Sequence, residues 1–358
     1  MICRRLRPVF TTGRGRASVA FAACANERGV ALLLTLLLLS ALTVLTFYLH
    51  RKTTAEAVVG EAFKHQVRLR AVADSAVRIG LAILHPQGGD EAVATLLDPW
   101  ANISKKALVE LFPDGTAELA IVDLSGRFQI NSLVNPASTK MRSSRRPTLQ
   151  EEEARRILLR LLTGGDFAID GELEARQLID ALVDWLDGDD RESEWGAESS
   201  YYRSLEPSYG CRNGPMKYVE ELLLVRGVSR ELFWGTPRSK ALADHVTVHG
   251  SDGRININTA LPALVRSLHA DMDAALVARL DAYRRDIRHR PLLADPAWYK
   301  NIGGWPDHIV LYEDLLTTRS AFFQVSALAR HGAFEKSAAV VTEMVGRSEM
   351  RILWRKVE

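Results

Sequence analysis

With 358 residues, 47% of them hydrophobic and 25% charged, the chain is long enough for two or three modest folded units, and its composition excludes the disordered and fibrous classes. The formal charge of +2 hides an asymmetry. The first 29 residues carry six arginines and one glutamate, and the rest of the chain holds 40 basic against 43 acidic side chains. That remainder has no basic excess to draw in nucleic acid, and its single cysteine, Cys211, rules out a disulfide framework or a zinc-finger pattern within one chain.

The basic leader ends at Arg28-Gly29-Val30, where an uncharged apolar run begins and continues to Leu49. Its 20 residues can cross a bilayer core at about 1.5 Å per residue. A secretory signal peptide puts its cleavage site after the apolar part. Here the candidate processing site, Gly29-Val30, lies before it, so the apolar segment stays with the mature chain as an anchor. Basic flanks remain cytoplasmic, which puts everything after Leu49 on the outer side of the membrane. An uncleaved single-pass anchor has the same orientation.

From Thr53 to His85 there is no proline, and apolar residues recur at Val58, Ala62, Phe63, Leu69, Val72, Ala76, Ile79 and Ile83. Spacings of three and four predict an amphipathic helix, closed by Pro86 and Gly88-Gly89. One helix from Val30 to His85 would be about 84 Å long. Next, Glu118–Val122 and Arg127–Asn131 flank Asp123-Leu124-Ser125-Gly126 and predict a β-hairpin. Helices are expected over Thr148–Leu162, Asp170–Trp185, Met216–Val225, Thr259–Arg288 and Asp307–Leu316, with a strand over His245–His249. The last forty residues switch to strands: Phe322–Arg330, Ser337–Val345 and Glu349–Val357. These late strands are expected to rejoin the Glu118–Asn131 hairpin, which makes the helical middle an insertion.

Three motifs carry chemistry. Asp187, Asp189, Asp190, Glu192, Glu194 and Glu198 lie within twelve residues, interleaved with Gly188 and Gly196. From the residues alone this is either a solvated acidic loop or an all-oxygen site for a hard cation such as Ca²⁺, and the spacing is not that of an EF-hand. Ile255-Asn256-Ile257-Asn258-Thr259-Ala260 echoes the opening of helix-hairpin-helix DNA-binding modules. The hairpin position, however, reads Leu268-His269-Ala270-Asp271, with no glycine to hold a phosphate and an added carboxylate. Asn256 and Asn258 are instead expected to satisfy turns, with Thr259 capping a helix. No nucleophile elbow, phosphate loop or His-Glu-x-x-His pattern is present, so the chain reads as non-enzymatic.

The processing site resembles that of type IV pilins and pseudopilins. Most of these carry glutamate at the fifth mature position, which here is Leu34. That departure resembles the minor pseudopilin K family of type II secretion. So do the stretch Leu178–Asp190 with Gly196-Ala197-Glu198 and Tyr201-Tyr202, and the stretch Gly253–Ala260. The resemblance implies an α+β fold: a long N-terminal transmembrane and amphipathic helix, a pilin-like α/β head, and a large all-α, SAM-like or helix-hairpin-helix-like insertion. The implied divisions are a leader at 1–29 removed by prepilin peptidase, an anchor at 30–50, a first part of the head at 51–136, a helical insertion with the metal loop at 137–244, a second helical part at 245–318, and the C-terminal strands at 319–358. It implies a subunit of the bacterial inner membrane with a periplasmic C-terminal region, capping or initiating the pseudopilus beside minor pseudopilins I and J and other pseudopilins. It also implies structural Ca²⁺ at Asp187, Asp189 and Glu198, with Asp190 and Glu192 as further ligands. Leu34, Phe63 and Leu69 are the expected partner-facing residues. Two alternatives remain: a membrane-anchored helix-hairpin-helix DNA-uptake protein, and a minor pilin of a related type IV pilus.

Overall fold

The computed structural model describes residues 27–84, 93–104, 108, 110–112, 116–134, 147–346 and 349–358. The leader before Glu27 and the Pro86–Gly89 stop lie outside these residues. The chain forms two units, residues 1–63 and 64–358, with helix α1 (Glu27–Leu84) contributing to both.

In the first unit α1 exposes every side chain from Val30 to Glu61. Its length and composition suffice to cross a membrane. The small hydroxyl side chains of the apolar stretch donate back to the helix itself. Thr35 donates to Leu32 O at 2.9 Å, Ser40 to Leu37 O at 2.8 Å and Thr43 to Ser40 O at 2.8 Å. These hydroxyls therefore need no partner from the hydrocarbon around them.

In the second unit, Leu69, Ala73, Ala76 and Val77 of α1 are buried against a four-stranded antiparallel sheet. The strands are β1 (Thr116–Asp123), β6 (Phe322–His331), β7 (Phe334–Val345) and β8 (Glu349–Val357), in the order β1-β6-β7-β8. Strand β6 alternates one buried and one half-buried residue over Phe322–Ala329, the signature of a strand with one face on a core. Helix and sheet meet closely at Gly80, where an added Cβ would lie 2.5 Å from Val325 Cγ1.

The hairpin expected over Glu118–Asn131 does not form. Strand β1 pairs along its whole length with β6, from Thr116↔Arg330 to Asp123↔Phe323. The return segment is only β2 (Phe128–Gln129), and it pairs in parallel with β3 (Val246–Thr247). A ten-residue alternating partner outcompetes two residues. The turn is also diverted at Asp123, whose fully buried carboxylate accepts Ser125 N at 2.8 Å, Thr259 Oγ1 at 2.5 Å, Ser320 Oγ at 2.5 Å and Asn256 Nδ2 at 3.3 Å.

Between β1 and β6 lies the helical part: α2 (Leu149–Thr163), α3 (Glu172–Leu186), α4 (Ser199–Arg203), α5 (Arg230–Trp234), α6 (Pro262–Ser267) and α7 (Ala274–Arg284). Helix α2 opens on a capping box, Thr148 with Glu151. A second parallel pair joins β4 (Ile255–Asn256) to β5 (Leu316–Thr317). One continuous core runs from Phe128 and Ile157 through Leu178 and Leu264 to Trp298 and Leu316. The 137–244 and 245–318 parts therefore share their interior. Other expected helices are shorter than their patterns. Met216–Val225 holds a 3-10 turn at Val219–Leu224, Thr259–Arg288 breaks into α6 and α7, and Asp307–Leu316 ends in a 3-10 turn at Glu313–Leu315 followed by β5. The expected strand His245–His249 shrinks to β3.

Candidate metal centre and family

The acidic loop begins directly at the end of α3. Leu178, Ile179, Leu182, Val183 and Trp185 bury one face of that helix, and Asp187 closes it by donating its N–H to Val183 O at 2.9 Å. The loop is then folded back by Asp184, one turn earlier and fully buried. Its carboxylate accepts Ser193 N at 3.0 Å and Ser193 Oγ at 2.5 Å; burial pushes its pKa up, opposed by these bonds and by one from the Ala197 amide. Gly196 sits directly on this carboxylate, where a Cβ would lie 1.8 Å from Asp184 Oδ2, so no other residue fits. From the far side Arg226 Nη1 donates to Gly196 O at 3.0 Å, while its guanidinium lies 4.9 Å from the centre of the Tyr201 ring.

Folded this way, the loop brings Asp187, Asp189 and Glu198 together, with one carboxylate oxygen of each within 4.8 Å of the others. Glu198 is only 2% exposed. Its Oε2 accepts Ser199 N at 3.1 Å and caps α4, whereas its Oε1 is buried with no hydrogen-bond partner. Burial pushes Glu198 up to about 7, helped by the carboxylates of Asp184, Asp187 and Asp190. Burial likewise pushes Asp187 up to about 7, with Asp189 and Asp184 adding and Arg155 opposing. Crowded, partly desolvated carboxylates that resist joint ionisation are what a divalent cation relieves. The donors are all oxygen, as Ca²⁺ prefers, and the orphaned Glu198 Oε1 is a ready ligand. The residues present therefore fit the ion.

Asp190 and Glu192 do not join the cluster. Both are exposed, and Asp190 Oδ1 is taken by Asn213 Nδ2 at 3.2 Å. Asn213, unforeseen from the sequence, borders the cluster. It also donates to Asp189 O at 3.0 Å, and its own Oδ1 is buried without a partner. Its φ of 48° is the left-handed conformation that the Asn213-Gly214 pair signals. Asp184 was equally unforeseen, because at its spacing it reads as one more polar residue on a helix. Cys211 packs its Sγ 3.5 Å from Asp184 O, and burial pushes its thiol up to about 12.

Gly29 and Val30 lie in the opening turns of α1 and Leu34 is exposed a turn later. Phe63 is 67% exposed, but Leu69, at 3%, is buried in the protein's own sheet core. That corrects the expectation that Leu69 faces a partner: the stripe turns inward where the sheet covers it. The 255–260 stretch is also internal. Asn256 and Asn258 are fully buried; Asn258 donates to Leu293 O at 3.0 Å and accepts Trp298 Nε1 at 2.8 Å. Thr259 donates to Asp123 rather than capping α6, whose cap is Leu261.

A long helix with an uncharged apolar first part, its later part laid on an antiparallel sheet, fits the architecture of a membrane-anchored pilin-type subunit. Residues 126–248 match the family model described as type II secretion system (T2SS), protein K. The chain is 28% identical over 330 residues to the type II secretion system protein K of Aeromonas hydrophila, covering 86% of this chain and 90% of that protein. It is 27% identical over 254 residues to the protein K of Klebsiella pneumoniae, covering 70% and 72%. One chain of the crystal structure of the GspK-GspI-GspJ complex from enterotoxigenic Escherichia coli superposes with a TM-score of 0.55 at 19% identity, over 86% of this chain and 99% of that one. By these likenesses the chain is similar, over most of its length, to the protein K family of type II secretion.

Proposed function

We propose that this pseudopilin is a non-enzymatic subunit that caps or initiates the type II secretion pseudopilus, held in the bacterial inner membrane with its C-terminal region in the periplasm. The observation that carries the reading is Leu34. In pilin-like fibres the glutamate usual at that position pairs with the amino terminus of a neighbouring subunit. An aliphatic side chain cannot make that contact, and there is no acidic residue from Val30 to Leu49 to replace it. Such a subunit suits one end of a fibre better than its shaft. The partners are minor pseudopilins I and J, by analogy with the related GspK-GspI-GspJ complex of Escherichia coli. Asp187, Asp189 and Glu198 hold structural Ca²⁺ in this reading. When bound, the ion supplies positive charge that lets the three carboxylates ionise together and fixes the loop to α4.

The test is the N-terminal mass of the protein from membranes, with and without prepilin peptidase. A chain starting at Val30 only when the peptidase is present is the expected result. Retention of residues 1–29 in both cases would defeat the reading and leave an ordinary single-pass protein.

A further inference from the structure

The turn between α6 and α7 places His269 and Asp271 on the surface of the helical part, and the segment after Trp305 brings His308 beside them. Asp271 Oδ2 lies 3.9 Å from His269 Nδ1 and 3.7 Å from His308 Nε2. The two imidazoles thus flank one carboxylate oxygen. Contacts this long between exposed side chains stabilise a fold very little by themselves.

We infer that His269, Asp271 and His308 form a binding site for a borderline transition-metal ion, Zn²⁺ being the natural occupant. Two imidazoles and a carboxylate are a typical three-ligand zinc set, with water as the fourth ligand. Tetrahedral bonds of about 2.0–2.2 Å put neighbouring ligand atoms roughly 3.3–3.5 Å apart. The two carboxylate–imidazole separations exceed that by only a few tenths of an ångström, whereas the two imidazoles stand more than 4.8 Å apart and must close on the ion. Asp271 N donates to His269 Nδ1 at 3.2 Å, a contact that ligation at this nitrogen would replace. Asp271 and His308 are more than 60% exposed and can swing inward, His308 having the longer way to go toward His269. The backbone on the other side is fixed: Met272 N donates to His269 O at 3.3 Å, and Asp273 caps α7 through Leu276 N at 2.7 Å. An ion here would join the α6–α7 turn to a segment distant in sequence. The site is separate in residues and ligand chemistry from the all-oxygen cluster and does not depend on that cluster binding calcium.

The full chain, purified in detergent and saturated with Ca²⁺ to occupy any oxygen site, is titrated with Zn²⁺ alone by calorimetry. One equivalent should bind, with affinity at least about ten-fold weaker in His308→Ala and in His269→Ala and unchanged in Glu198→Gln. Co²⁺ in place of Zn²⁺ should give the visible absorption of a tetrahedral centre in the wild type and lose it in His308→Ala. Because His308 is so exposed, that variant should melt like the wild type without zinc, which separates lost ligation from lost folding. Zinc affinity unchanged in His308→Ala, or no zinc uptake by the calcium-saturated wild type, would overturn the site.

Discussion

Glu198 and Asp187 carry the testable consequence of the acidic cluster. Their ordinary pKa values of 4.5 and 3.8 are raised to about 7 in the fold, mainly by burial. A raised acid favours the fold while it keeps its proton. With the ion chelated, that contribution is complete below about pH 4 and is lost as pH rises through 7. The EDTA-treated chain should therefore melt at a lower temperature at pH 8 than at pH 5.5. Calcium affinity should run the other way, rising with pH as protons cease to compete. Glu198→Gln should weaken Ca²⁺ binding at least about ten-fold by calorimetry and remove most of the melting difference between calcium and EDTA. Binding that matches the wild type would exclude Glu198 as a ligand. The acidic run was legible in the sequence, and the family resemblance singled out Asp187, Asp189 and Glu198, the three that converge; what makes them converge was not legible. That is decided by Asp184 and Gly196, whose close packing folds the loop, and by Asn213, which arrives from outside it.

Helix α1 shows which parts of an element can be read from pattern. Its extent follows from apolar spacing and the absence of proline, and Glu27–Leu84 is close to the expected Val30–His85. Which residues on its stripe meet the protein's own sheet was not legible, because periodicity marks an apolar face without saying what covers it. Phe63 and Leu69 belong to one pattern and differ in exposure from 67% to 3%. Phe63→Asp should abolish co-purification with the partner pseudopilins and leave the melting temperature unchanged. Leu69→Asp should instead destabilise the fold by several kcal/mol, on the order of 3–5, by burying an unpaired charge. Equal effects of the two on melting would refute the distinction. The expected hairpin failed for a related reason. A turn signal and two β-prone runs specify strands, whereas the true partner of β1 lies some two hundred residues further on, where local pattern cannot point.

Across the whole molecule, the charge after residue 29 and the burial of Asn256 and Asn258 bear on the DNA-uptake alternative. A module that binds phosphate must present its amides and cations, and here the matching stretch is enclosed. A gel shift at low salt with the full chain in detergent should show no retardation of duplex DNA. Retardation that falls with salt would restore that alternative. The architecture also constrains the order of biosynthesis. Strand β1 gains its neighbour only when β6 has been made, after the entire helical part between them. A chain made from its N-terminus must therefore carry the apolar side of α1, from Leu69 to Val77, uncovered until its last strands emerge. Closing so long a loop is slow, and the helical part, with a core of its own, can fold while the sheet waits. During that interval the apolar side of α1 stays open to other apolar surfaces, and the finished sheet face appears last.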